Sequence, residues 1–361
     1  MIGMTIRGRK LALLASTGLA VAAAAPPAFA QDAIQLDAVR VEGESNSSPY
    51  ADPAAPYKAD RLSSSKFSEP VKNTPRSVTV ITKEALDDKG ATSLREVLRT
   101  TAGVTLGTGE GGNAFGDRFF IRGFDARNDV FVDGVRDPGV LVRENYNTEQ
   151  LEILRGPASS FAGRGTAGGA LNIVTKKAHP GSAYEAEATG GLSDNTRRLT
   201  FDVNQELDST LSVRVNGLIQ NANVAGRNFV TDNRRGIAGA ATWTPLEIIT
   251  VEANYSYTYL YGLPDFGVPY NPVARRPVTS GDVARDIYYG ATNRDFNRSV
   301  QAGGGLDVRW VVTDWLTLEN SLRQSHSLLN YIGTIPENPS PANAATAPFS
   351  SLYTTKFSGY T

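Results

Sequence analysis

Beyond Pro180 the chain alternates apolar and polar residues over long stretches, a period-two pattern that predicts strands rather than helices. In the segment that starts at Thr250, Val251, Ala253, Tyr255, Tyr257, Tyr259 and Tyr261 share one face, opposite Thr250, Glu252, Asn254, Ser256 and Thr258. Leu199, Phe201, Val203 and Leu207 oppose Thr200, Asp202, Asn204 and Glu206 in the same way. Leu211, Val213, Val215 and Ile219 oppose Ser212, Arg214, Asn216 and Gln220, and Leu316, Leu318 and Leu322 oppose Thr317, Glu319, Ser321 and Arg323. Strands of about ten residues with a polar second face fit a transmembrane barrel with a wet interior. A soluble β-sandwich is the alternative that shares this period. Asp208-Ser209-Thr210, Thr244-Pro245 and Thr313-Asp314 read as tight turns, whereas residues 262–298 form a long connection. Short turns at one end and long loops at the other are the asymmetry of outer-membrane barrels. Trp243, Trp310, Trp315, Tyr259 and Tyr261 near strand ends suit interfacial girdles.

Upstream the texture differs. Residues 31–75 are polar and broken by Pro49, Pro53, Pro56, Pro70 and Pro75, an extended tail with no core of its own. Ser77-Val78-Thr79-Val80-Ile81 predicts a strand. Thr82 caps a short helix over 83–89, stopped by Gly90; Thr92 or Ser93 caps a second over 94–100, with Leu94, Val97 and Leu98 on one face. Further strands are expected over 118–122, 129–132, 150–154 and 170–175, joined by glycine-rich links. These elements compose a small α+β domain over residues 76–178.

The N-terminus adds a destination. Arg7, Arg9 and Lys10 precede an Ala-rich apolar run over 11–25, and Ala28-Phe29-Ala30 is an A-x-A cleavage site. Residues 1–30 therefore read as a secretory signal; removing three cations and no acids moves the net charge from −1 to −4. The near balance of 36 Lys+Arg against 37 Asp+Glu argues against nucleic acid as a partner. Zero cysteines exclude disulfides, thiolate metal sites and a cysteine nucleophile, and His179 and His326 are too few and too far apart for a histidine metal site. Gly163-Arg164-Gly165-Thr166-Ala167-Gly168 matches the dinucleotide fingerprint in letters, but the β-rich Leu171-Asn172-Ile173-Val174-Thr175 follows instead of a helix. Its glycines are expected to permit positive φ and close backbone packing in a buried turn. With no Ser/His/Asp set or carboxylate pair standing out, an enzyme is not expected.

Three blocks then point to a family. Pro75-Arg76-Ser77-Val78-Thr79-Val80-Ile81-Thr82 is the first, and Arg118-Phe119-Phe120-Ile121-Arg122-Gly123-Phe124 with Val132-Asp133-Gly134-Val135-Arg136 is the second. The third runs from Glu149-Gln150-Leu151-Glu152-Ile153-Leu154-Arg155-Gly156-Pro157 to Gly168-Gly169-Ala170-Leu171-Asn172-Ile173-Val174-Thr175-Lys176-Lys177. In this order they resemble the plug of TonB-dependent outer-membrane siderophore receptors. Gly262-Leu263-Pro264-Asp265-Phe266-Gly267-Val268-Pro269-Tyr270 strengthens the likeness to the ferric-catecholate branch.

The resemblance implies an α+β plug domain followed by the first strands of an antiparallel transmembrane β-barrel, 22-stranded when complete. It implies a monomeric importer in the outer membrane that binds a ferric siderophore, with no cofactor because the iron arrives already chelated. Leu36, Asp37, Ala38, Val39, Arg40 and Val41 look like the TonB box, a segment that offers its backbone edge to the periplasmic partner TonB. An anionic, aromatic ligand calls for cations and rings. The candidates are Arg136 and Arg143 with Phe115 and Tyr146, then Glu110, and Phe266 and Tyr270 from the barrel loop. Arg118, Arg122 and Arg155 are expected to pair with acids on the barrel wall. A receptor for another nutrient, such as cobalamin or a glycan, and a secreted β-rich binding protein or adhesin are the alternatives. Only seven or eight strands fit after residue 180, so residues 181–361 are expected to form a partial, open barrel sheet, from the N-terminal part of a longer receptor or from a truncated gene product.

Overall fold

The computed structural model describes residues 2–7, 39–41, 50–52, 54–107, 116–137, 139, 141–159, 163, 166–192, 194–271, 275–277, 284–336 and 352–358. A five-stranded sheet centres the first domain, in the order Val135–Arg136, Val130–Val132, Gly169–Thr175, Thr148–Arg155, Ser77–Thr82. Gly169–Thr175 runs parallel to Val130–Val132, and the other neighbours are antiparallel. Two short helices cover one face: α1 (Lys83–Asp88) and α2 (Leu94–Arg99). The Thr82 hydroxyl accepts the Ala85 N–H at the start of α1, and Ser93 with Glu96 forms a capping box at the start of α2.

Strand alternation sorts the core into two layers. Leu151, Ile153 and Leu171 point toward the helices and pack with Leu94, Val97, Leu98, Phe119 and Ile121. Leu154, Ala170 and Phe131 point the other way and pack against Phe67 from the N-terminal tail. Glu152 shares that second face and is fully buried. Its carboxylate accepts the Ser63 N–H at 2.6 Å, Gln150 Nε2 at 2.8 Å and Asn172 Nδ2 at 2.9 Å. The tail after Pro56 is therefore a strap across the sheet, where the proline-rich sequence predicts a coreless extension.

Eight antiparallel strands follow, each paired with its successor: Ala183–Gly190, Arg197–Asp208, Leu211–Asn221, Asp232–Leu246, Ile249–Gly262, Phe296–Thr313, Leu316–Pro336 and Leu352–Ser358. Among the described residues the sheet is open. Its first edge carries Ile2–Arg7, antiparallel to Ala183–Gly190, with Val39–Val41 parallel beside it. Residues 8–38, which hold the rest of the expected signal and Leu36, Asp37 and Ala38 of the expected box, lie outside the described residues. Thr244-Pro245 is not the turn the sequence predicts. Thr244 still bonds the Thr210 carbonyl at 2.7 Å, Pro245 falls in a bulge, and the chain reverses after Leu246.

The polarity of this sheet is inverted relative to a soluble protein. Asn204 and Asn216 are 0% and 1% exposed, whereas Ile219 and Ile237 are 54% and 56% exposed. Polar faces curve around the first domain and apolar faces point outward, the requirement of a barrel in lipid and the opposite of a soluble sandwich. Trp243, Trp310 and Trp315 stay exposed near the short-turn end, and Tyr261 at the long-loop end.

Gly168, the last fingerprint glycine, serves packing: a Cβ there would lie 2.1 Å from the Ile121 carbonyl oxygen, and a strand rather than a helix follows it. Gly163 holds φ +72° in open space, and Gly165 lies outside the described residues. The next residue, Gly169, holds φ +148° with its missing Cβ only 2.1 Å from the Leu154 carbonyl oxygen. Gly169→Ala is expected to destabilise the first domain by about 2 kcal/mol. A lowered denaturation midpoint with an unchanged slope in the detergent-solubilised chain checks it.

Candidate functional site

A seam of charge joins the first domain to the curved wall. The Glu144 carboxylate takes Arg198 Nη2 at 2.9 Å and a second contact from Arg234, and Arg234 also bonds Asp232. Arg214 forks onto Asp202 through Nε and Nη2 at 2.8 and 2.7 Å and reaches Glu149 at 3.4 Å. Lys176 meets the same Asp202 at 2.9 Å, Lys177 pairs with Glu252, and Arg323 approaches Asp133 at 3.6 Å. Lys83, the first residue of α1, bridges Asp87 at 2.8 Å and Glu185 at 3.1 Å. Burial works against the charge on Lys83, but Asp87 and Glu185 outweigh it and hold its ammonium above the ordinary lysine range. Burial likewise opposes the charge on Glu144, yet Arg234 and Arg198 keep its carboxyl below the ordinary range. Beside the seam a polar cleft of about 1010 Å³ opens between α1 and the wall, lined by Lys83, Asp87, Glu185, Arg198, Asp202 and Arg234.

The two ends of the sheet carry different chemistry. At the short-turn end, the Ser65 hydroxyl from the tail bonds Glu319, and Tyr50 stands in the field of Lys177 and Glu252, where burial pushes its phenol up to about 12. The long-loop end holds the expected ligand residues, with outcomes that differ residue by residue. Arg136 lies 4.8 Å over the Phe131 ring and bonds Asp129 at 2.8 Å. Arg143 is buried, with Nη2 on Asp137 at 3.0 Å and on the Gly139 carbonyl at 3.3 Å, so it braces its own loop. Tyr146 is buried against the wall with Leu218 and Ala238, its hydroxyl 3.3 Å from Thr258 Oγ1. Glu110 and Phe115 lie outside the described residues. Phe266 and Tyr270 come together with Tyr288 and Tyr289 around a cavity of about 260 Å³.

Sequence reasoning misplaced one set of partners. Arg118 bonds Asp125 at 3.1 Å, and Arg155 bonds Thr79 Oγ1 and the Ala102 carbonyl, both at 2.6 Å, so these two are held inside the first domain rather than on wall acids. The wall is instead met by Glu144, Glu149, Asp133, Lys83, Lys176 and Lys177. A signal for the wall's half of these pairs was present: Asp202 and Arg214 stand on the polar parity of their strands. Tyr288 and Tyr289 were missed because a loop has no period.

Residues 70–170 match the family model of the TonB-dependent Receptor Plug Domain. The "Probable TonB-dependent siderophore receptor PiuA" of Acinetobacter baumannii is 33% identical over 342 residues, covering 92% of this chain and 44% of that relative. The catecholate siderophore receptor Fiu of Escherichia coli K12 is 31% identical over 312 residues, 82% of this chain and 41% of the relative. The crystal structure of the siderophore receptor PiuA from A. baumannii superimposes with a TM-score of 0.72 at 33% identity, covering 80% of this chain and 41% of that one. The chain thus spans less than half the length of the curated relatives it matches, and those relatives are named as receptors, not enzymes.

Two outcomes test these buried charges, one in the seam and one inside the first domain. Glu144→Gln leaves two buried guanidiniums without their shared charge and is expected to loosen the domain–wall contact by about 3–5 kcal/mol, read as faster proteolysis between residues 76 and 178. Asp117 is fully buried; burial pushes its carboxyl up to about 6, with Arg143 only partly offsetting. The folded chain then keeps a proton between pH ~4 and ~6 that the unfolded chain has released, so stability is expected to fall as pH rises across that window. Asp117→Asn should flatten this slope in denaturation midpoints measured from pH 4 to 6.

Proposed function

The chain belongs to the TonB-dependent receptors, and from that premise we propose that its protein imports a ferric siderophore, of catecholate type, across the outer membrane. The observation that carries the reading is the inside-out sheet curved around a plug through paired charges, with the N-terminal strap at the short-turn end and an aromatic cavity at the long-loop end. The names of the relatives, a siderophore receptor and a catecholate siderophore receptor, favour the ligand class.

In this reading the ligand arrives at the long-loop end as a complete chelate, so the protein supplies recognition and passage rather than metal ligands. An anionic aromatic chelate meets Phe266 and Tyr270 on the loop and Arg136 on the plug, and Glu110 and Phe115, which lie outside the described residues, complete the candidate set. Arg143 and Tyr146 act one step back, holding that loop to Asp137 and to the wall. Passage requires the plug to shift. TonB pairs with the Leu36–Val41 segment by strand addition and draws on it. The strap transmits the pull to the plug, and the cleft of about 1010 Å³ beside α1 already separates plug from wall there.

Iron-starved cells carrying the receptor are expected to accumulate radioiron from ferric catecholates, and cells lacking it are not. Val39→Pro removes a backbone donor from the box, and should abolish accumulation while leaving chelate binding at the cell surface intact. Equal accumulation with and without the receptor, or a preference for cobalamin or a glycan, sinks the siderophore reading.

A further inference from the structure

The cavity at the long-loop end is built rather than incidental. Phe266 packs on Leu329 and Tyr331, and it lies so close over Gly333 that a Cβ there would sit 2.8 Å from the ring. The Tyr288 hydroxyl donates to the Pro264 carbonyl at 3.2 Å, closing one end of the long loop on the other. Arg227, from the loop over residues 222–231, forks onto both oxygens of Asp265 at 2.7 Å. The same guanidinium donates to the Gly267 carbonyl at 3.3 Å and the Arg285 carbonyl at 3.0 Å, and it lies 5.8 Å over the Tyr289 ring. At the base, Asp295 accepts both the Thr334 N–H and its hydroxyl at 2.9 Å. Two loops and a strand end are thus locked together around a space that four aromatic side chains line, and Tyr270 stays exposed at its rim.

Size and chemistry name the occupant. At about 260 Å³ the cavity lies below the ~300–1,000 Å³ of sites that enclose a drug-sized ligand, so it has room for one substituted ring and not for a chelate of three. Ring faces favour a planar aromatic guest by offset or edge-to-face packing. The geometry points to a single-aryl subsite: Phe266, Tyr270, Tyr288 and Tyr289 take one catechol-sized arm of the ligand, apart from the plug's own loops. This inference rests on the siderophore reading for the identity of the arm, and on the cavity alone for its size and aromatic preference.

Catechol is the probe, added to the full 361-residue chain in detergent micelles and followed by quenching of tyrosine and tryptophan fluorescence and by ligand-detected NMR. Saturable binding at millimolar catechol is expected, with cyclohexane-1,2-diol, the non-aromatic analogue, failing to compete. Tyr270→Ala, at an exposed position that leaves the fold intact, and Phe266→Ala should each weaken binding about three- to tenfold. No saturable catechol binding, equal binding of the diol, or binding indifferent to both substitutions overturns the subsite. Failure of the two readings is separable. Catechol binding that responds to both variants, in a receptor that imports no iron, retains the subsite and discards siderophore import. Normal import with no catechol effect does the reverse.

Discussion

The structure depends on a sheet that must be apolar outside and polar inside, because lipid faces one side and a folded domain the other. Polar groups on the concave face, shut away from bulk water, must find partners on the plug. They do so as charges: Glu144 between Arg198 and Arg234, and Arg214 between Asp202 and Glu149. Such pairs add little net stability once desolvation is counted, but losing one partner is severe, so they set the plug's position more than they strengthen the whole. A seam of this kind also has an alternative to its partners, namely water. An apolar seam would resist opening; a charged one rehydrates as it parts.

That property bears on how force could enter. The strap over residues 54–67 covers the second face of the plug sheet through Phe67 and caps the buried carboxylate of Glu152 with the Ser63 N–H. Upstream of it, Tyr50 stands in the field of the Lys177–Glu252 pair of the seam, and Ser65 bonds Glu319 on the wall. A pull on the N-terminus would therefore reach the seam and the sheet face through the same short segment, at the end opposite the aromatic cavity.

Much of the architecture was legible. The strands around Ser77–Thr82 and Thr148–Arg155, both helices with their caps, and the wall strands Arg197–Asp208, Leu211–Asn221, Ile249–Gly262 and Leu316–Pro336 follow from short-range rules: alternation, capping residues and glycine stops. The site was less legible. Arg143 and Tyr146 looked like ligand groups because a cation and a ring in a loop carry no mark of what they face; folding gives Arg143 to Asp137 and Tyr146 to the wall. Phe266 and Tyr270 could be named, but not Tyr288 and Tyr289, whose closure with them depends on Arg227 from another loop.

Residue order alone settles which faces are polar, where helices start and stop, and the plug motifs, since each is decided within a few neighbouring positions. Only the folded arrangement decides which acid meets which base across the seam, that the proline-rich tail is a strap, and that four rings line one cavity. Those contacts join residues dozens to hundreds of positions apart, as with Ser65 and Glu319, and no local rule reaches that far.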